Sequence, residues 1–109
     1  MANTVKRLSQ TALTATTTTT LYTVPASTST IIKEIVLCNT DTVARTVTIQ
    51  AGPTPATAVA TRLINALSLE PNETKIFTFS NVLLTTDLIT GGASAGAVVA
   101  CSISGTEVA

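Results

Sequence analysis

The chain has 109 residues, enough for one domain, and its six basic and six acidic residues give a formal net charge of zero, with no histidine. Charged residues are 11 % of the total against the roughly 25 % of an ordinary soluble domain, which argues against electrostatic capture of nucleic acid or of an anionic membrane as the main activity. Hydrophobic residues reach 45 % at a mean hydropathy of +0.48 while aromatics are 3 %, so the apolar content is aliphatic and some of this neutral surface is expected to be covered by a partner, most simply another copy.

From the N-terminus, residues 1–17 read as an extended polar arm and residues 18–109 as the folded domain. Lys6 and Arg7 resemble the charged start of an export signal, but Ser9, Gln10 and Thr11 come directly after them, so no apolar signal core forms. No apolar run approaches the length of a membrane span. The tract Thr16, Thr17, Thr18, Thr19 and Thr20 leads into Leu21-Tyr22-Thr23-Val24. Five branched side chains ahead of an alternating run extend a strand more readily than they make a disordered stalk. The polar arm needs something to accept its backbone hydrogen bonds, either a partner protein or a neighbouring strand. We expect it to add little to the domain's own core. In this role the Thr16–Thr20 tract is a strap that adds to a sheet edge, with Lys6 and Arg7 facing acidic groups on a partner.

Beyond the arm, strands are expected at Thr18–Val24, Thr30–Asn39, Arg45–Ala51, Arg62–Leu69, Thr74–Ser80 and Ala97–Ser104. They are separated by turn residues at Pro25, Asn39–Asp41, Gly52–Pro55, Pro71-Asn72 and Gly91–Gly96. This spacing predicts an all-β chain, a single β-sandwich or jelly-roll-like domain with an extended N-terminal arm. Val47 and Ile49, Phe77 and Phe79, and Val99, Cys101 and Ile103 alternate with other residues and are expected to face the core. The second strand does not alternate. Ile31, Ile32, Ile35, Val36, Leu37 and Cys38 place apolar atoms on both faces, so that strand needs cover on both sides. A homo-oligomer, with a trimer as the working guess, would supply it. Residues 56–67 also carry helical spacing behind Thr54-Pro55. A loop followed by a strand suits the rest of the chain better. Cys38 and Cys101 read as free thiols within strands rather than as an inter-sheet disulfide.

The residues that carry chemistry are sparse. Gly92-Ala93-Ser94-Ala95-Gly96 matches the G-x-S-x-G nucleophile pattern, but the chain has no histidine to serve as base, and the segment reads as a surface glycine–alanine loop. It lacks the Lys-Ser/Thr that completes a phosphate loop. Six scattered carboxylates, no histidine and no Cys-x-x-Cys pair leave no metal set, so neither metal nor cofactor is expected. Glu70 and Glu73 read as solvated shoulders of the Pro71-Asn72 turn, and Asn72-Glu73-Thr74 as a chance sequon.

The opening MANTVKRLSQ, the stretch TTTTTLYTVPASTSTIIKEIVLCNT and the ending ISGTEVA resemble small virion structural proteins of tailed bacteriophages. The likeness is most specific at Leu21–Ala26 and Val36–Asn39. The resemblance implies a sandwich-like fold, no enzyme activity and a place in the virion after synthesis in the host bacterial cytoplasm. Its partners would be the major capsid protein or other virion proteins, with no nucleic acid or membrane. Three roles are open: a capsid decoration (cement) protein on the assembled head, which is favoured; a tail, neck or baseplate component; and a receptor- or glycan-binding module. The scarcity of aromatics counts against the third.

Overall fold

The computed structural model of the chain describes residues 3–53 and 59–109. Among them are eight strands: β1 (Asn3–Ala12), β2 (Thr20–Thr23), β3 (Ser29–Asn39), β4 (Arg45–Gly52), β5 (Arg62–Leu69), β6 (Thr74–Leu83), β7 (Leu88–Ala93) and β8 (Val99–Val108). They form two four-stranded antiparallel sheets, β1-β8-β3-β6 and β2-β7-β4-β5. The chain passes repeatedly from one sheet to the other, and each sheet pairs an early strand with a late one. That is the strand order of a jelly roll.

The core between the sheets is aliphatic. Ile32, Ile35 and Leu37 of β3, beside Val99, Cys101 and Ile103 of β8 in the same sheet, face Val47 and Ile49 of β4 and Ile89 of β7 in one buried cluster. The alternating sets expected to face inward do so, and Phe77 and Phe79 are half-buried against the same cluster with ring centroids 6.5 Å apart. The pairing register of β3 shifts around Lys33, where Ile32 pairs with Gly105 and Glu34 with Ser104. This bulge changes the side-chain phase within the strand, so Ile32, Ile35 and Leu37 all turn inward. Ile31, Val36 and Cys38 are left half-buried on the opposite face.

Residues 62–69 are a strand, preceded by a single 3-10 turn at Val59–Thr61. Thr54, Pro55 and Ala56, where the helical alternative would begin, lie outside the described residues. Two strands go beyond the sequence reading. Gly91, Gly92 and Ala93, expected in a surface loop, are buried in β7, where backbone pairing with β4 holds residues that have almost no side chain. Residues 3–12 form β1, paired along β8 from Asn3 opposite Val108 to Ala12 opposite Ala100. The N-terminal segment also contributes to the core, contrary to expectation. Leu13 is fully buried, donates its N–H to the Val99 carbonyl (2.8 Å) and accepts from Ala97 N–H (2.9 Å), and Leu8 sits on a β1 bulge with its side chain against Gly105. Two buried leucines are worth about 1.5–3 kcal/mol each in removed apolar surface, more than the polar composition of the segment predicts.

Candidate interaction surfaces

The threonine tract lies on its own domain. Residues 14–19 carry the chain from β1 in one sheet to β2 in the other, crossing the outer side of β7. Ala93 N–H donates to the Thr14 carbonyl (2.9 Å) and Gly91 N–H to the Thr19 carbonyl (3.0 Å). The Thr17 carbonyl accepts from Nε2 of Gln50 (3.1 Å), a buried side chain on β4 whose Oε1 accepts in turn from Nε of Arg62 (2.9 Å). The Thr14 and Thr19 hydroxyls are 2.7 Å apart. Gly92 lies directly beneath the Thr16 peptide, and a Cβ there would sit 2.6 Å from the Thr16 carbonyl carbon. The backbone of the strap is thus committed internally, while the side chains of Thr16, Thr17, Thr18 and Thr20 stay exposed.

Lys6 and Arg7 part company. Lys6 Nζ is 3.4 Å from the Glu107 carboxylate, which also accepts from the Tyr22 hydroxyl reaching over from β2. That hydroxyl lies 2.9 Å from Thr30 Oγ1, so one cluster ties β1, β2, β3 and β8 together at one end of the sandwich. Burial, reinforced by the neighbouring carboxylate, pushes the Tyr22 phenol up to about 12. Arg7 points to the other side of its strand, onto the outer face of β1-β8-β3-β6.

That outer face carries exposed aliphatic side chains among polar ones. Register places its side chains in rows across the sheet: Gln10, Ser102, Val36 and Ile76 in one, Arg7, Ser104, Glu34 and Thr78 in the next, and Val5, Thr106, Ile31 and Val82 in a third. Val5 is 87 % exposed, Ile76 61 % and Val82 56 %. The floor contributed by β8 is all small residues, and above it lies an open pocket of about 220 Å³ lined by Gln10, Ala12, Val36, Cys38, Ala100 and Ser102. Two-sided apolarity in β3 pointed to this face. What the sequence could not show is that exposed Ile76 and Val82 of β6 fall in the same rows.

The remaining polar groups are structural. Ser94 accepts from Thr46 N–H at Oγ (3.1 Å) and returns its own N–H to the Thr46 carbonyl (2.9 Å), so the serine of the nucleophile-like pattern fastens β7 to β4. Asn39 is fully buried. Its Nδ2 reaches the carbonyls of Val43 (3.0 Å), Leu69 (3.1 Å) and Glu70 (3.2 Å), and its Oδ1 accepts from Asp41 N–H (3.0 Å), locking two turns together. Sequence reasoning gave Asn39 only a turn role. The Arg45 guanidinium, 2.6 Å from Asp41, holds that carboxyl below its usual range. Glu73 accepts the Glu70 N–H at 2.8 Å across the Pro71-Asn72 turn, where Asn72 takes a φ of 60°. Among the described residues no group of three or more acidic or cysteine side chains converges as a metal set, and no helix is long and apolar enough to cross a membrane. Both cysteines are free. Cys101 pairs with Leu37 and points into the core, whereas Cys38 pairs with Ala100 and points outward, so the two thiols lie on opposite faces of one sheet.

No protein-family model matches the chain, and no curated protein does. Among solved structures it is similar to a chain of the T13 infectious bursal disease virus particle, with TM-score 0.50 and 13 % identity over 96 % of its length. Chains from the Gx and Gt strains of infectious bursal disease virus align over 97 % and 96 % of it, at 16 % and 15 % identity and TM-scores of 0.45 and 0.46. In all three cases it spans 30–32 % of the other chain. At these identities the likeness is one of fold alone.

Proposed function

We propose that the protein is a non-enzymatic structural component of a virus particle, a decoration protein seated on the assembled head of a tailed bacteriophage. The observation that carries this reading is the jelly-roll strand order over nearly the whole chain, a fold that viral capsid domains share with lectins and cupins. Because a fold alone does not specify a job, two further features support it. The buried polar side chains Asn39 and Gln50 hydrogen-bond within the fold, and the outer face of β1-β8-β3-β6 presents exposed aliphatic side chains. The phage assignment rests on the resemblance of the chain's two ends to small phage virion proteins. On this reading the exposed hydroxyls of Thr16, Thr17, Thr18 and Thr20 on the strap meet the major capsid protein or another virion protein, whereas Lys6, held by Glu107, and Arg7, on the outer face of the opposite sheet, lie apart from that surface.

Quantitative mass spectrometry of purified particles of the virus that encodes the chain is the test. A decoration protein approaches the major capsid protein in copy number. A dozen or so copies would reassign it to the tail, neck or baseplate, and absence from the particle would overturn the virion reading.

A further inference from the structure

From the outer face of β1-β8-β3-β6 we infer that two copies of the chain pack face to face through this sheet, related by a two-fold axis running parallel to the strands between β8 and β3. This inference is independent of the virion reading, since it rests on register, exposure and charge alone.

The geometry is set by the rows. A two-fold axis in that position keeps each row at its own height and reverses the strand order, so β6 of one copy lies above the β1-β8 side of the other. Ile76 then comes down over Gln10, in its own row, on the β1 side of the pocket that Gln10, Val36, Ala100 and Ser102 line. Val82 comes to rest over Val5 and Thr106 in the third row. In the row between, Arg7 of one copy approaches Glu34 of the other, and the pairing occurs twice by symmetry. Among the described residues neither Arg7 nor Glu34 makes an ion pair within its own chain. Lys33, exposed on the bulge beside Glu34, has a stem long enough to carry its charge to the rim.

Charge selects this axis over the other face-to-face arrangement. A two-fold axis perpendicular to the strands through the middle row would also stack aliphatic rows, but it would set Arg7 over Arg7 and Glu34 over Glu34, and like charges brought together in this way are unfavourable. The size is adequate. Four strands about 4.8 Å apart and about ten residues long at 3.3 Å per residue make a face of roughly 600 Å² per copy, or about 1,200 Å² in total, the lower bound of specific interfaces. The small side chains of β8 allow the two sheets to approach to about 10 Å.

Sedimentation equilibrium of the full chain at tens of micromolar should return twice the 11.1 kDa chain mass. Ile76→Lys should return a monomer with an unaltered circular dichroism spectrum, because the side chain it replaces already faces outward. Val59→Lys, at a still more exposed aliphatic on the 3-10 turn, should leave the dimer intact. Arg7→Glu and Glu34→Arg should each weaken the dimer about tenfold or more, and the double variant should recover to within about threefold. A monomeric parent chain, a trimer, a dimer indifferent to Ile76→Lys, or a double variant no better than the singles would each overturn the inference.

Discussion

Replacing Gly92 with alanine tests the strap. The added Cβ would stand 2.6 Å from the Thr16 carbonyl carbon and 2.9 Å from the Thr14 carbonyl oxygen. Both are backbone atoms and cannot rotate aside. If the strap lifts, it releases the hydrogen bonds from Ala93 to Thr14, from Gly91 to Thr19 and from Gln50 to Thr17, at about 1 kcal/mol each. If instead β7 sinks into the sandwich, it meets a filled core, and overpacking there costs about 1–3 kcal/mol. The two routes bracket a loss of roughly 1–3 kcal/mol, which for a domain of this size lowers Tm by about 4–12 °C. Thermal unfolding followed by circular dichroism reads this directly. Gly96→Ala is the control, since the nearest atom to its Cβ is Ala15 N at 3.8 Å, and its Tm should hold or rise slightly. A Gly92→Ala protein that melts within about 2 °C of the parent chain would refute the tight strap-on-β7 packing.

Deleting residues 1–12 removes β1 and bares the edge of β8, and the expected outcome is a drop of several degrees in Tm with aggregation on heating; an unchanged melt would mean that β1 is not part of the folded unit. With the thiols, native-state alkylation should modify half-buried Cys38 and spare Cys101, whose thiol burial pushes up to about 12; a protein with no alkylated cysteine after unreduced denaturation would contradict the free-thiol structure. Cys101→Ala should cost about 1–3 kcal/mol as a core truncation, read by urea unfolding. Tyr22 supplies a pH dependence: its folded-state pKa is raised from 10.0 to about 12, so the unfolded chain gives up the phenolic proton first, and the stabilisation present below pH 10 is lost as pH rises towards 12. Tyr22→Phe should be less stable at neutral pH and should decline less steeply over that interval; parallel curves would exclude a titrating role for Tyr22.

What the sequence revealed depended on where side chains alternate. The β-branched runs of β3, β4 and β8 marked those strands to within a few residues, β5 followed from consistency with the rest of the chain, and β3's two-sided run signalled a second buried or covered face. β7 was illegible because Gly91, Gly92 and Ala93 carry no pattern; their strand character comes from neighbours on either side, β4 through its ladder and the strap through the Thr14 and Thr19 carbonyls. β1 was read as an extended arm docking on a partner or a neighbouring strand and adding little to the core, because its side chains are polar, yet a backbone ladder needs no apolar side chain, and Leu8 and Leu13 reach the core. The interaction face was half legible: the outward residues of β3 could be named, but their alignment with Ile76 and Val82 of β6 is a matter of register between strands some forty residues apart.

The pairing of β1 with β8 has a kinetic side. Asn3 lies opposite Val108, and the strap rests on β7, so β1 and the strap find their permanent neighbours only in strands far downstream in the domain. Contacts of such sequence separation carry a large loop-closure cost before they give anything back, which places the chain among slow folders. On the ribosome the threonine strap must wait for β7, and β1 for β8. Their polar composition is what a segment needs if it is to stay soluble through that interval, and it accounts for the abundance of threonine as well as strand geometry does.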